Sequence, residues 1–278
     1  MTTTEPTTTT TETTANPATA QPSADAGAPA TGKGSAAASG ARGRVRVEQA
    51  HKRVRPLLGG VVVVDTVRPL LVWEGPHYPV YYLPLADLKA TLEPTGEIVR
   101  SPSRGDAHRH DVVAGEHRAA GAALTYPDSP FPELRDMVRL DWDSFDTWLE
   151  EDEPVYVHAR NPFHRVDILS SSRHVRVEID GVTVAESTRP TVLFETNIRP
   201  RYYLPLSDVR TELLRGSSTS TGCPYKGTAS YYGVEVNGKV HEDVVWYYPA
   251  PLLESIRVAG LVCFYDEKVD VYVDGVHT

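Results

Sequence analysis

Short runs of alternating apolar and polar residues dominate the chain after residue 41. The run HVRVEIDGVTVAES, which begins at His174, alternates on both sides of Asp180-Gly181. A two-residue period with such a turn pair at its centre predicts a β-hairpin. Further β-rich runs are TVLFET, YYGVEVNGKV with Asn237-Gly238 at its turn, DVVWYY, LVCFY and VDVYVDG. The pattern predicts a mainly β protein with a few short helices.

Helical spacing is confined to three short segments. One helix is predicted after the Tyr-Tyr-Leu-Pro stretch of each half of the chain. In the second half, Ser207 can cap it, and apolar residues follow at helical spacing, namely Val209, Leu213 and Leu214. In LDWDSFDTWLEEDEP, four residues share a helical face as core anchors, namely Trp142, Phe145, Trp148 and Leu149. The acids of that segment, Glu150 among them, are interpreted as its solvated face.

The chain repeats itself. VYYLPLADLKATL from Val80 matches RYYLPLSDVRTELL from Arg201, with Tyr81 and Tyr202 separated by 121 positions. After an insertion of one residue, SPSRGDAHRH from Ser101 matches CPYKGTASYY from Cys223. A fixed offset over so many positions indicates duplication of one structural unit. We therefore predict two copies, residues 42–168 and 169–278, which pack against each other behind a tail of residues 1–41.

Composition limits which binding partners and which cellular compartment are expected. The tail is rich in Thr, Ala, Ser and Pro, which predicts disorder. No apolar run is long enough for a membrane span, and a net charge of −9 argues against a nucleic-acid partner. The basic stretch from Arg42 to Arg55 is interpreted as a solvated linker. Two cysteines form no disulfide framework, so a cytoplasmic protein is predicted.

The second copy carries a motif that resembles a known family. Cys223 to Tyr231 reads Cys-Pro-Tyr-Lys-Gly-Thr-Ala-Ser-Tyr. The matching residues around it are Arg189-Pro190, Glu195, Arg201 to Pro205, Trp246, Tyr248 and Pro251. With these residues the chain resembles the domain of unknown function 427 family in its two-copy form. The resemblance implies two tandem mainly β domains with a small curled antiparallel sheet, of the Mss4-like β-tent type, and brings no established reaction or cofactor.

The Cys-Pro-Tyr-Lys-Gly stretch predicts a pocket for a small molecule. Pro224 and Gly227 bend the chain, so that Cys223 and Lys226 can face one cavity. Aromatic walls with a few convergent polar groups are typical of such pockets. The predicted ligand-binding residues are Glu195, Arg201, Tyr202, Tyr203, Cys223, Tyr225, Lys226, Tyr231, Trp246 and Tyr248.

Other interpretations of this stretch stay open. It can be a purely structural turn, in which Cys223 is a small buried hydrophobe. It can also be catalytic through Cys223 and Lys226, although the motif holds no histidine and His241 is the nearest in sequence. For the whole protein, the alternative to ligand binding is a non-catalytic interaction or scaffold module that uses the acidic residues 150–153 or the tail.

The first copy keeps the turn and changes the residues around it. Pro102 and Gly105 match Pro224 and Gly227, and Arg104 replaces Lys226. The other replacements are Ser101 for Cys223, Arg109 for Tyr231 and Leu124 for Trp246. His108, His110 and His117 add possible metal ligands, but a zinc site needs three or four ligands in a suitable arrangement. No metal or cofactor is predicted, and the first copy is either degenerate or a second pocket of more polar preference.

Overall fold

Residues 45–278 are described by the structure, which is a computed structural model. The predicted tail, residues 1–41, lies outside them. The strands of the first copy are β1 (Arg46–Gln49), β2 (Val54–Leu58), β3 (Val61–Val62), β4 (Leu70–Trp73), β5 (Val80–Pro84), β6 (Thr91–Ser101), β7 (Gly105–Ala114), β8 (His117–Thr125), β9 (Met137–Leu140), β10 (Thr147–Glu150) and β11 (Glu153–Val155). Its 3-10 turns are Leu85–Asp87, Pro132–Leu134 and Trp142–Ser144.

The second copy repeats this order of strands. Its strands are β12 (Val166–Ser170), β13 (Val175–Ile179), β14 (Val182–Ser187), β15 (Thr191–Glu195), β16 (Ile198–Pro205), β17 (Leu214–Cys223), β18 (Gly227–Val236), β19 (Lys239–Tyr247), β20 (Leu261–Phe264), β21 (Asp270–Val273) and β22 (Val276–His277). Its 3-10 turns are Leu206–Asp208, Thr211–Leu213 and Leu253–Val258.

Each copy pairs a seven-stranded with a four-stranded antiparallel sheet. The large sheets run β1-β4-β5-β9-β8-β7-β6 and β12-β15-β16-β20-β19-β18-β17. The small sheets run β11-β10-β2-β3 and β14-β13-β21-β22. Adding eleven to each strand number of the first copy gives the second, so both copies have one topology. The predicted mainly β fold with tandem domains is confirmed. In the described residues, no helix has the length and apolar character needed to cross a membrane.

Two turn pairs identified in the sequence join strands as predicted. Asp180 and Gly181, with φ of 49° and 75°, connect β13 to β14. Asn237 and Gly238, with φ of 51° and 76°, connect β18 to β19. Left-handed conformation at both turn residues matches the twist of the flanking strands, and Asp, Asn and Gly tolerate it best. These hairpins are confirmed.

The helices predicted after the Tyr-Tyr-Leu-Pro stretches are wrong. The first copy has only the 3-10 turn Leu85–Asp87 there, and the second has Leu206–Asp208 and Thr211–Leu213. Val209 between those two turns is extended, with φ of −114° and ψ of 142°. It is buried and forms an isolated bridge with Ala185. Contact with β14 therefore outweighs a helical preference that spans too few residues to be stable.

The helix predicted around the tryptophans of the first copy is also wrong. Trp142 starts a 3-10 turn and Trp148 lies in β10. The two indole rings nevertheless stack with centroids 4.6 Å apart, and Trp148 is buried. The tryptophans pack against the core as predicted, but an extended strand positions them.

Glu150 contradicts the prediction that the acids of this segment form a solvated face. Its side chain is 8% exposed, and one oxygen lies 2.5 Å from Lys52 Nζ. The other oxygen accepts a hydrogen bond from the Tyr81 hydroxyl. A carboxylate at this depth needs such partners, because burial of an unpaired charge is costly.

The basic stretch is not the solvated linker that the sequence suggested. Arg46 lies in β1, and the Arg53 guanidinium donates to both oxygens of Asp65 at 2.6 and 2.7 Å. Arg55, with a side chain only 16% exposed, donates to Asp152 at 2.5 Å. Part of the basic stretch therefore pairs with acids of the same copy, including Glu150 and Asp152.

Candidate functional site

Each large sheet separates two apolar clusters. In the second copy, one cluster joins the large sheet to the small sheet through residues such as Val177, Leu204 and Val234. The opposite face carries a second cluster built largely of aromatic residues, namely Ile168, Leu193, Tyr203, Ala229, Tyr231, Trp246, Tyr248, Val258 and Cys263. The candidate site lies on this opposite face.

An open cavity of about 70 Å³ lies in the aromatic face, and we call it the second-copy pocket. Its lining consists of Leu193, Glu195, Ile198, Arg201, Tyr203, Thr221, Gly222, Cys223, Lys226, Tyr231, Trp246, Tyr248 and Tyr265. Eight of the ten predicted ligand-binding residues are among them. The structure thus brings most of the predicted set to one cavity, and whether they bind a ligand stays a prediction.

Tyr202 and Tyr225 are the two predicted residues that the structure places elsewhere. Neighbours on a strand point to opposite faces, so Tyr202 packs on the cluster shared with the small sheet while Tyr203 lines the pocket. Tyr225 turns away towards the segment that joins the copies. Its hydroxyl accepts a hydrogen bond from the Asn161 backbone N–H at 2.8 Å, and its ring stacks on His164 at 4.1 Å.

A buried ion pair forms the polar wall of the pocket. Lys226 Nζ lies 2.5 Å from one oxygen of Glu195, and His164 Nε2 lies 2.9 Å from the other. The Lys226 and Glu195 side chains are 9% and 3% exposed. Burial alone would raise the pKa of Glu195, but the His164 hydrogen bond and the Lys226 charge outweigh it, so that pKa is lowered. Glu195 is therefore a carboxylate near neutral pH.

Arg201 supplies a second cation, and it is also compensated. Its guanidinium donates to Glu267 at 2.7 and 3.0 Å and contacts Asp266. Burial opposes the charged form, but these acids raise the pKa of Arg201 above its usual value. The guanidinium carbon lies 5.5 Å from the centroid of the Trp246 ring. Arg201 therefore supports the aromatic wall while its charge is held by two carboxylates.

Hydrogen bonds fix most of the aromatic rings. Trp246 Nε1 donates to the Tyr203 hydroxyl at 3.0 Å, and the Tyr231 hydroxyl lies 2.6 Å from Thr221 Oγ1. Tyr265 stacks beside Tyr231 with parallel rings 6.4 Å apart. The Tyr248 hydroxyl makes no hydrogen bond to the described residues. Burial raises the pKa of Tyr248, so this hydroxyl is a neutral group that can donate or accept.

The Cys-Pro-Tyr-Lys-Gly stretch closes a hairpin. Cys223 at the end of β17 pairs with Gly227 at the start of β18, as Ser101 pairs with Gly105 in the first copy. Both glycines have positive φ, 96° and 89°. A Cβ at Gly227 would lie 3.2 Å from the carbonyl oxygen of Ala250. The turn is therefore a structural device in both copies, and in the second it also places Cys223 and Lys226 in the cavity wall.

Replacing Gly227 with alanine lowers the free energy of unfolding by about 1–3 kcal/mol, because the new Cβ adds crowding to an unfavourable φ. Chemical denaturation followed by circular dichroism measures the change. Gly238→Ala is the matched control, since Gly238 also has positive φ but has nothing within 4 Å of its Cβ position. Equal losses in the two variants would contradict a close approach at Gly227.

The equivalent place in the first copy is more strongly cationic. Glu74 takes the position of Glu195 and accepts a hydrogen bond from the Tyr82 hydroxyl at 2.8 Å. Arg104, in the position of Lys226, lies 3.8 Å from Glu74, and Arg139 lies 3.6 Å from it. Strand pairing places Arg139 where the second copy has Cys263. A second guanidinium thus stands where the second copy has a thiol, a change that the sequence comparison missed.

The first-copy residues that replace the aromatic wall make local contacts. Arg109 lies 3.0 Å from Glu97 and donates to the Gly121 carbonyl at 2.9 Å. His110 Nε2 lies 2.9 Å from Thr125 Oγ1. Within residues 45–278 no group of three or more His, Cys, Asp or Glu is arranged to hold a metal ion.

Sequence reasoning also missed His164 and Tyr265. His164 precedes β12 and reaches Glu195 across the strand pairing of Val166 with Glu195. Tyr265 follows β20 and closes the pocket beside Trp246, with ring centroids 4.3 Å apart. Neither residue lies in the motif, and no local pattern marks them. His241, the histidine nearest the motif in sequence, instead contacts Asp180 at 3.0 Å and is partly buried.

A comparison with protein-family models gives a match to each copy. The family model described as Domain of unknown function (DUF427) matches residues 46–151 and again residues 167–275. The two matched segments correspond to the two copies and together cover well over half of the chain. A search of curated proteins found none that matches.

Proposed function

Because the chain belongs to the family described as Domain of unknown function (DUF427), whose description assigns no activity, we propose a function from the geometry of its second copy. The second-copy pocket binds a small, neutral, planar molecule. The observation that carries this proposal is an aromatic-walled cavity whose charged groups are all matched by opposite charges of the chain itself. Cys223 and Cys263 are both buried and form no disulfide bond in the described residues, which fits the reducing cytoplasm that we propose as the location.

Charge compensation argues for a neutral ligand. Lys226 is held by Glu195 at 2.5 Å, and Arg201 is held by Asp266 and Glu267. A charged ligand would have to displace one of these partners or enter the low-dielectric cavity uncompensated, and either step is unfavourable. An anion at Lys226 is disfavoured because the Lys226 charge is already committed to Glu195.

The wall argues for a planar ligand with at least one hydrogen-bonding group. Trp246, Tyr203 and Tyr265 present ring surfaces or edges to the cavity, and aromatic rings favour stacked or edge-on contact with flat molecules. The Tyr248 hydroxyl, without a partner in the described residues, is the group best suited to orient such a ligand. Cys223 lies in the wall beside it as a contact residue in this proposal.

The test uses neutral planar probes, nicotinamide and uracil, with the cation 1-methylnicotinamide for comparison. Ligand-detected saturation-transfer NMR and titration of the full chain should show binding of a neutral probe and weaker binding of the cation. Tyr248→Phe should reduce affinity about three- to tenfold, as expected for the loss of one hydrogen bond.

Tyr126→Phe is the matched control, because Tyr126 holds the equivalent position in the first copy. It directly follows β8, as Tyr248 directly follows β19. It should leave probe affinity unchanged. Failure of both neutral probes to bind, or equal effects of the two Tyr→Phe variants, would contradict the proposal. That outcome would favour the alternative of an interaction or scaffold module.

A further inference from the structure

A larger cavity, of about 660 Å³, lies between the two copies, and we call it the inter-copy cleft. Its lining comes from residues 49–52 with Leu71, Tyr81 and Glu150 of the first copy, from residues 160–166, and from Tyr225 and Glu254. The volume is within the range of small-molecule sites. It is separate from the second-copy pocket, and the two share no lining residue.

Arg160 stands out among the charged residues of the cleft. Its side chain is 20% exposed, and the nearest acid oxygen, from Glu254, is 3.8 Å away. Its Nε is buried and has no hydrogen-bond partner in the described residues. A buried N–H without an acceptor is unfavourable, and a guanidinium offers a planar fork of donors that suits an oxyanion.

The other charges of the cleft are already paired at short range. Lys52 lies 2.5 Å from Glu150, whose second oxygen is taken by the Tyr81 hydroxyl. Arg165 donates to both oxygens of Asp167 at 2.9 and 3.0 Å.

The remaining charged groups do not compete for Arg160 at close range. His164 contacts Glu195 at 2.9 Å. Glu254 is 57% exposed and is the only acid recorded within 4.0 Å of Arg160 among the described residues. Arg160 is therefore the cation of the cleft whose charge the described residues balance least closely.

We propose that the inter-copy cleft binds a small organic anion, a carboxylate or a phosphate carried on an apolar or aromatic body. The anion takes the guanidinium of Arg160 and supplies the charged acceptor that the chain brings no closer than 3.8 Å. The body packs on the apolar and aromatic side chains of the lining, Leu71 from the first copy and Tyr225 from the second. A ligand held in this way touches both copies, and its binding does not depend on the function proposed for the second-copy pocket.

The experiment titrates the full chain with benzoate and phenyl phosphate, with inorganic phosphate and benzylamine as comparison probes. Calorimetry gives affinities, and the NMR signal of the Arg160 Nε–H reports the site directly. At least one of the two organic anions should bind and shift that signal, and benzylamine should not. Arg160→Met should weaken binding about tenfold or more, because a charge-assisted hydrogen bond is lost.

Arg165→Met is the matched control, since Arg165 also lines the cleft but is committed to Asp167. It should lower the affinity for the organic anions much less than Arg160→Met does. The proposal is overturned if neither organic anion binds, if the two Arg→Met variants lose affinity equally, or if inorganic phosphate binds as tightly as the organic anions. If Arg160→Met does not fold, an unshifted Arg160 Nε–H signal in the saturated wild-type protein overturns it instead.

Discussion

Lys226→Met lowers the free energy of unfolding by about 3 kcal/mol, the low end of what removing one partner of a buried ion pair costs. The variant leaves the Glu195 carboxylate, whose side chain is 3% exposed, without its cation. His164 still lies 2.9 Å from the other oxygen of Glu195, which is why the loss stays at the low end. Urea denaturation followed by circular dichroism measures the difference.

Two further variants separate the buried pair from a general effect of losing a cation. Glu195→Gln in the Lys226→Met background removes the uncompensated charge and should recover part of the lost stability. Arg210→Met removes one side of an exposed pair with Glu212, in which both side chains are at least half exposed. That variant should leave stability nearly unchanged. A loss from Lys226→Met no larger than that from Arg210→Met would contradict a buried charge at Glu195.

The pH dependence of stability tests the Lys226→Met variant in a second way. The pKa of folded Glu195 is lowered from the ordinary value of 4.5, so its ionised form stabilises the fold above that value. This contribution is lost as pH falls through the lowered pKa. The stability difference between wild type and Lys226→Met should therefore be full near neutral pH and shrink as pH falls towards the lowered pKa of wild-type Glu195, because protonation removes the charge that Lys226 compensates. A difference that persists unchanged in acid would show that Lys226 acts through another contact.

Trp148→Ala should lower the free energy of unfolding by about 3–5 kcal/mol, because it empties the centre of an aromatic cluster. Trp148 is buried and stacks on Trp142, lies 5.9 Å from Tyr81 and meets Phe145 edge-on at 5.8 Å. Its Nε1 also donates to the Trp142 carbonyl at 3.0 Å. Chemical denaturation followed by far-ultraviolet circular dichroism measures the loss without depending on the removed fluorophore.

Phe194→Ala is the control for Trp148→Ala, since Phe194 also lies on a strand but is 44% exposed. Its removal should cost less than about 1 kcal/mol, in proportion to the apolar area it buries. Similar losses in both variants would mean that the cluster around Trp148 is not a centre of stability. A small loss in both would show that the first copy tolerates a cavity at this position.

The sequence predicted the structural features that depend on residues close together in the chain. The Asp180-Gly181 and Asn237-Gly238 turns are set by backbone conformation within two residues, and both are present. The repeat predicted two domains of one topology because homologous segments bury the same faces. The motif at Cys223 predicted that Cys223, Lys226 and Tyr231 meet at one cavity, because β17 and β18 form a hairpin around it.

Non-local contacts explain what the sequence did not predict. Val209 lies in an extended segment because it bridges Ala185. Glu150 can be buried because it pairs with Lys52, which lies 98 positions earlier in the chain. His164 meets Glu195 only after β12 pairs with β15. Tyr202 is different, since the period of two along a strand would have excluded it once Tyr203 was assigned to the pocket.

The segment between the copies has a consequence for modularity. The second family match begins at residue 167, yet Glu195 and Tyr225 are completed by His164 and Asn161, which precede it. The matched segment is thus shorter than the unit that forms the polar wall. Asn161 and His164 lie between the two matched segments and complete the second copy, so residues 167–275 alone lack part of its polar wall.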